Sequence, residues 1–222
     1  LLKKDPKDRT ADESKRLEEG IHQIPAEDIP NVMSPEEIRR AAAQKMFTPD
    51  QLKEVFKSNT FSQGQKKDFA QSMFSGLKGL VDSAKHTGDW SKVTEAFKGM
   101  SDIEREILYA NRKDLGVDKE VLAAMNAKDF DEFNKYGTTD ERLEAKQDRK
   151  QGLKDGIIKP PTDASGKPKD ENPDEKKARV RRTLNRMSDD ERNDMDEETV
   201  EHSIPHMKSH ELIEFVEKST NA

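Results

Sequence analysis

The sequence has no cysteine, few aromatic residues and no long apolar run, and each absence limits what the protein can be. Without cysteine, no disulfide holds the fold and thiol chemistry is excluded, although this absence fits any compartment. The apolar runs fall well short of the ~20 residues that a membrane-spanning helix requires. We therefore expect a soluble segment without a membrane span, with the cytoplasm as the favoured compartment.

What the sequence does contain is charge, because 39% of its 222 residues are charged and only 31% are hydrophobic. Globular chains average about 25% charged residues and about 45–50% apolar residues including glycine, so one large core is not expected. Acids and bases nearly cancel, at 46 against 40, and the apolar residues are clustered, which argues against full disorder. The composition predicts small helical units separated by solvated spacers.

The composition changes along the chain in a way that predicts five segments. They are a mostly flexible, charged segment over 1–30, a helical bundle over 31–137, an exposed charged helix over 138–155, a disordered linker over 156–172 and an acidic helical module over 173–222. The linker is rich in proline, glycine and charge, so it cannot bury enough apolar surface to become ordered. Because the chain begins with Leu1 rather than Met, we expect it to be a fragment of a larger protein.

Helix starts are explicit in the sequence, whereas strand patterns are not. A Ser, Thr or Asn followed three residues later by Glu or Gln predicts a capping box, in which each side chain satisfies a backbone N–H at the start of a helix. We identify five helix starts by such pairs: Ser34 with Glu37, Thr48 with Gln51, Ser101 with Glu104, Asn172 with Glu175, and Ser188 with Glu191. No segment alternates polar and apolar residues as a half-buried strand does. The sequence therefore predicts an all-α fold.

Apolar residues with helical spacing predict the core. Phe69, Met73, Leu77 and Leu80 recur at steps of three or four residues, which places them on one face of a predicted helix from Gln63 to Ala84. The other residues expected in the core lie on shorter helices and are Trp90, Phe97, Ile107, Phe130 and Phe133. We expect a small bundle in which short helices pack on the longest one.

A degenerate repeat is visible in the positions of methionine. The dipeptide Met-Ser occurs at 33–34, 100–101 and 187–188, each time before a short helix with acids in its first turn. A second Met precedes another predicted helix in each case, at Met46, Met125 and Met207. We interpret the pattern as a helix–turn–helix hairpin used three times, each copy too small to bury its apolar side alone. Alternatively, Met-Ser-acid marks any helix start and the copies arose by convergence.

A run of cations on the predicted helix from Pro173 to Met187 is the candidate site for a partner or an anion. It consists of Lys176, Lys177, Arg179, Arg181, Arg182 and Arg186. A basic helix of this kind can contact nucleic acid or an anionic membrane, but no aromatic residue is interleaved for base stacking. The simplest interpretation is that this helix faces the acidic residues between Asp189 and Glu201, within the chain or in a neighbour.

Patterns that would indicate catalysis or metal binding are incomplete. His202, His206 and His210 are spaced four apart, but Pro205 should end the helix that would align them. The alternating acids Asp194, Asp196 and Glu198 lack the glycine of a calcium loop. The sequence has neither a nucleophile elbow nor a phosphate-binding loop. We therefore expect no enzyme activity, no metal and no cofactor.

The predicted hairpins begin with Thr48-Pro49-Asp50-Gln51-Leu52 and Ser209-His210-Glu211-Leu212. These starts resemble those of the soluble helical repeats that follow the membrane segments of large conjugation or secretion-channel proteins, and those of helical structural proteins of large phages. The resemblance covers about half of the chain, rests on helix-cap residues and transfers no functional residue. It implies a non-enzymatic interaction or scaffold segment of a larger multi-protein assembly, whose partners are other subunits or further copies of the repeat. The alternative is a nucleic-acid-binding accessory protein that uses the basic helix over 176–186.

Overall fold

A computed structural model of the chain describes residues 4–162, 165 and 167–213. Over these residues the fold is all-α, and the one β-type contact is an isolated bridge between Thr162 and Pro168. The α-helices described are α1 (Ala11–His22), α2 (Ile29–Val32), α3 (Pro35–Ala43), α4 (Pro49–Lys57), α5 (Gln63–Met73), α6 (Ser75–Thr87), α7 (Ser91–Lys98), α8 (Asp102–Ala110), α9 (Lys119–Ala124), α10 (Ala127–Asn134), α11 (Thr139–Ile158), α12 (Pro173–Leu184), α13 (Asp189–Asn193) and α14 (Glu197–Ser203). Residues 209–213 are also helical.

The five predicted capping boxes are all confirmed. In each one, the side chain of the cap accepts the backbone N–H three residues ahead, and the Glu or Gln accepts the N–H of the cap. Three further boxes begin at Thr10, Ser62 and Thr138. Since a cap contributes ~1 kcal/mol, these local bonds stabilise short helices that have little apolar surface to bury.

The chain folds into two compact units, which we describe separately. Unit 1 contains the described residues up to Leu80 together with Ala96–Gly116, and unit 2 contains Val81–Glu95 together with the described residues from Val117 onward. In unit 1, α3 packs on α5, while α4 packs on α2 and α8. The rings of Phe61 and Phe69 meet edge to face in its core, with their centroids 5.3 Å apart.

The predicted flexible segment over 1–30 is in fact partly built into unit 1. Residues 11–22 form α1, and Ile21 and Ile29 are buried. The side-chain amide of Gln51 donates to the backbone oxygens of Ile21 and Ile24, at 2.8 Å each. The high charge of this segment hid these contacts, because they involve a few isoleucines and backbone carbonyls.

The single long helix predicted from Gln63 to Ala84 is wrong, because it breaks at Phe74. Helix α5 ends at Met73 and α6 begins at Ser75, while Phe74 itself is buried. The next two residues are Ser75 and Gly76, a pair at which helices commonly kink. Of the predicted core, Phe69, Met73, Leu77, Phe97, Ile107, Phe130 and Phe133 are buried. Leu80 and Trp90 are only half-buried, since Leu80 follows the break and Trp90 precedes α7.

The helix predicted over 138–155 is present as α11, but α11 is the centre of unit 2, so the prediction that it is exposed is wrong. It packs against α9, α12 and α14. Its buried stripe consists of Ala145, Arg149, Gly152, Leu153 and Ile157. Because this stripe contains a cation and a glycine, the usual apolar pattern is diluted in the sequence.

The boundary between the predicted linker and the predicted acidic module also changes. Residues 156–158 belong to α11 rather than to a disordered linker. Val180, Leu184 and Met187 form a buried cluster with Leu153 and Ile157 of α11. The described residues 173–213 therefore belong to unit 2 and do not form a separate module, while residues 214–222 of the predicted module lie outside the described residues.

The hairpin repeat stays a prediction. In the first copy α3 and α4 are consecutive, but in the second copy α9 intervenes between α8 and α10. Moreover, α8 belongs to unit 1 and α10 to unit 2. In the third copy α14 intervenes between α13 and the helical residues 209–213.

The close approach of α9 and α11 depends on Gly152. A Cβ at this position would lie 2.1 Å from the backbone oxygen of Lys119 and 2.9 Å from the Cβ of Ala123. Both distances are shorter than van der Waals contact allows, so the helices would have to separate.

We predict that Gly152→Ala lowers the free energy of unfolding by about 3 kcal/mol, as overpacking a core does. Gly79→Ala is the control, because a Cβ at this helical position meets no atom within 4 Å. It should be neutral or stabilising by up to ~1 kcal/mol. Urea denaturation followed by far-UV circular dichroism measures both, and equal effects would contradict the close approach of the helices.

Candidate functional site

The frame of the candidate site is held by Arg149, whose side chain is fully buried in unit 2. Its Nη1 donates to the backbone oxygens of Leu122 (2.6 Å) and Met125 (2.9 Å), and its Nη2 donates to that of Arg186 (2.9 Å). Its Nε lies 2.5 Å from a carboxylate oxygen of Glu191. One guanidinium therefore joins the end of α9 and the turn between α12 and α13 to α11.

The flat face of the same guanidinium lies over an aromatic ring. The Cζ of Arg149 is 4.7 Å from the centroid of the Phe130 ring on α10, within the range of a cation–π contact. The hydrogen bonds in the guanidinium plane and the Phe130 ring against its face together compensate the buried cation for its lost hydration. The sequence indicated Phe130 as a core residue but gave no signal that its neighbour would be an arginine.

The acidic segment after α12 pairs with α11, and not with the basic run as the sequence suggested. Asp194 lies 2.6 Å from Lys150, while Asp196 and Glu198 lie 2.7 and 2.9 Å from Lys154. The hydrogen bonds to Lys154 and Thr199 hold the pKa of Asp196 well below its usual value. The three acids that vaguely match a calcium loop are thus bound to lysines.

Two of the six predicted basic residues are used inside unit 2. Arg179 donates to both carboxylate oxygens of Glu171, at 2.8 Å each, and to the backbone oxygens of Gly156 and Ile157. Arg181 donates from Nε to the backbone oxygen of His206 at 3.1 Å. These contacts fix the residues that flank α12, with the guanidinium of Arg179 fully engaged and that of Arg181 bound through Nε.

The remaining four basic side chains make no hydrogen bond or ion pair within the part of the chain that the structure describes. They are Lys176, Lys177, Arg182 and Arg186. Arg182 is exposed, and Arg186, in the turn that follows α12, is half-buried. Burial lowers the pKa of Arg186, and the positive charges of Arg182 and Arg149 lower it further. An electrostatic demand for an anion is therefore concentrated at this pair.

Arg182 and Arg186 line a groove of about 630 Å³ in unit 2, which we call the cationic groove. Its walls come from α9, α11, α12 and residues 84–90 and 159–162. Small residues, among them Gly152, Gly156 and Ala123, lie along it. A Cβ at Gly152 would meet α9 and a Cβ at Gly156 would meet Thr183 of α12, so these glycines allow the helices that form the groove to approach closely.

Trp90 is the residue of the groove that sequence reasoning missed. It is the one tryptophan of the chain, it is half-buried, and it lines the cationic groove. The sequence pattern predicted a core residue, since Trp90, Val93 and Phe97 share helical spacing. Its position directly before α7 and after Gly88 was the signal that it belongs to a loop.

The acids along the groove are only partly neutralised. Asp155 is bound by Lys119 at 2.5 Å and by Lys159 at 2.8 Å. Glu171 is bound by Arg179, as described above. Glu120 lies 3.9 Å from Lys85. Asp170 and Glu175 also line the groove and make no ion pair among the described residues, so they limit how much negative charge it can accept.

The three histidines do not form a metal site. His202 contacts the backbone oxygen of Glu198, and His206 follows in the 3₁₀ turn Ile204–His206, where Pro205 interrupts the helix. Over the described residues, no group of three or more His, Asp or Glu side chains is arranged to hold a metal ion.

A second, smaller cavity of about 300 Å³ lies in unit 1. Phe47, Leu52 and Met73 contribute apolar walls, and Lys45 is 3.3 Å from Glu104 beside it. The charges at this cavity are already paired, so it has a weaker demand for a ligand than the cationic groove.

Comparisons of this chain with protein-family models, with curated proteins and with solved structures found no match. Among the described helices, none is both long enough and apolar enough to cross a bilayer.

We predict that Arg149→Ala lowers the free energy of unfolding by about 3–5 kcal/mol, because it leaves buried carbonyls and Glu191 without their donor. Lys150→Ala is the matched control on the same helix. It removes the exposed pair with Asp194, which contributes less than about 1 kcal/mol. Urea denaturation compares the two, and similar losses would show that the Arg149 network does not hold unit 2 together.

Stability should also depend on the titration of His206. Burial and the nearby cations, beginning with Lys176 and Lys177, lower its pKa from the usual 6.5, and its buried Nδ1 has no hydrogen-bond partner. The unfolded chain binds this proton more readily, so stability is complete above pH 6.5 and declines as the pH falls toward the lowered pKa.

We expect the melting temperature to fall between pH 7 and pH 5, because the unfolded chain binds the proton of His206 more readily. His206→Gln should reduce this dependence, because glutamine carries no titrating proton. Differential scanning calorimetry at constant ionic strength measures both. An unchanged pH dependence in the variant would show that another group is responsible.

Proposed function

We propose that the chain is a non-enzymatic segment of a larger multi-protein assembly, in which it binds other subunits or further copies of itself. The observation that carries the proposal is the cationic groove, a concave surface with an accessible tryptophan and two arginines that lack an acidic partner. Aromatic residues and arginine are enriched at the centres of protein interfaces.

The groups that line the groove are suited to binding and not to bond-breaking chemistry. Within the described lining, no hydrogen bond joins a hydroxyl to a histidine or a carboxylate, as nucleophilic catalysis requires. The lining instead offers guanidinium forks, a flat indole and small residues. Such a surface can hold a partner segment in place.

Nucleic-acid binding is the second candidate, and one observation favours it. Trp90 lines the same groove as Arg182 and Arg186, which supplies the aromatic surface that the basic run itself lacks. Single strands bind through this combination of stacking and positive charge. The net charge of −6 and the acids along the groove act against a long phosphate backbone.

Light scattering and amine-reactive cross-linking test the assembly proposal. We expect light scattering to show particles heavier than the 25.3 kDa chain, formed either by the chain itself as its concentration rises or with a co-purified subunit. We expect the cross-links to lie at Lys159 or Lys169, which line the groove. A monomer at every concentration, without cross-linked partners in the source cells, would contradict the proposal.

Retention on heparin and on single-stranded DNA tests the second candidate. Phosphate contacts are strongest at low salt. If the chain is not retained at about 50 mM salt, nucleic-acid binding is excluded. Retention that is lost when both Arg182 and Arg186 are replaced would favour it.

A further inference from the structure

We propose that the cationic groove binds an acidic segment of a partner protein, in which two carboxylates lie close to a large apolar side chain. This inference rests on the proposed function and names the chemistry of the partner. It commits to a protein ligand whose carboxylates meet Arg182 and Arg186 and whose apolar side chain packs on Trp90.

The number of carboxylates follows from the cations that are free. Along the groove, Lys119 is bound to Asp155, Lys85 to Asp118 and Arg179 to Glu171, and Lys169 donates to the backbone oxygen of His86 at 3.1 Å. Arg182 and Arg186 make no hydrogen bond or ion pair among the described residues, although the charge of Arg182 contributes to lowering the pKa of Glu171. Arg182 lies in α12 and Arg186 lies in the turn that follows it. Both line the groove, and the charge of Arg182 contributes to lowering the pKa of Arg186, so the two side chains lie near each other. Each guanidinium can donate two parallel hydrogen bonds to the oxygens of one carboxylate.

The position of Arg186 explains why an anion would be held there. Its side chain is half-buried, and the nearby charges of Arg182 and Arg149 add repulsion. A cation that has lost part of its hydration without gaining a partner is in an unfavourable environment. An incoming carboxylate offsets both the lost hydration and the repulsion, whereas a neutral ligand offsets neither.

Trp90 supplies the apolar half of the site. An indole that is half-buried and lines a groove gives a flat apolar surface with little conformational entropy to lose. The volume of about 630 Å³ lies within the range of about 300–1,000 Å³ that is common for ligand sites. It can therefore hold several side chains of a peptide.

The remaining acids of the groove favour a peptide over a nucleic acid. Asp170 and Glu175 line it without an ion pair among the described residues, so a ligand with a charge at every unit of its backbone would meet repulsion. A peptide with two acids placed opposite Arg182 and Arg186 avoids these positions. The carboxylates of the groove thus contribute to the choice of partner.

The test uses the full chain of 222 residues and a phage-displayed library of random dodecapeptides. Selected peptides are synthesised and titrated into the protein, with the emission of Trp90 as the readout, because it is the one tryptophan present. Tryptophan-free peptides are used, and oligo(dT) of twelve nucleotides is titrated in parallel. We expect acidic–apolar peptides to shift the Trp90 emission, and oligo(dT) to leave it unchanged.

The variants are Arg182→Gln with Arg186→Gln, and Lys177→Gln as the matched control. Lys177 lies on the same helix and is exposed, but it does not line the groove. We expect the double variant to weaken peptide binding at least tenfold and the control to change it less than twofold. The side chains of Arg182 and Arg186 make no hydrogen bond in the described chain, so circular dichroism should show both variants folded.

Three outcomes would overturn the inference. The first is that the library yields no binding peptide, or only peptides without acidic residues. The second is that the double variant binds acidic peptides as tightly as the unchanged protein does. The third is that oligo(dT) shifts the Trp90 emission and the peptides do not. The last outcome would favour the nucleic-acid candidate. If peptides fail while the chain still assembles in light scattering, the proposed function stands and only the groove is wrong as its site.

Discussion

A single buried cation, Arg149, is the constraint on which unit 2 depends. A guanidinium carries five N–H donors and no acceptor, so once it is buried it requires oxygens from several directions. It finds them on α9, at the α12–α13 turn and at Glu191, while Phe130 covers its face. Few other arrangements of these helices would satisfy the same donors, so the polar network selects the packing that the small apolar cluster then stabilises.

The same network decides which charges are left for binding. Glu191 is taken by Arg149, and the next acids along the chain are taken by Lys150 and Lys154 of α11. The acidic segment therefore faces α11, although the basic run of α12 is its nearest neighbour in sequence. Arg182 and Arg186 remain without an acid because the fold has directed the nearest acids elsewhere.

Much of the local structure could be predicted from the sequence, because helix caps are local interactions between residues three apart. The five predicted capping boxes are present for this reason. The role of α11 could not be predicted, since its inward stripe mixes Ala145, Arg149 and Gly152 with apolar residues and has no apolar periodicity. The groove was also beyond the sequence, because Trp90 and Arg186 are 96 positions apart and only the packing of unit 2 brings them to one surface.

The composition itself gives the unpaired arginines their significance. Acids outnumber bases in this chain, at 46 against 40, so a cation has no shortage of possible partners. Exposed lysines without a partner are ordinary, because water solvates them at little cost. Arg186 is different, since it is half-buried in a concave surface beside two other arginines. Although carboxylates are in excess in this chain, the fold leaves Arg186 without one. The compensating carboxylate is then best supplied by another molecule.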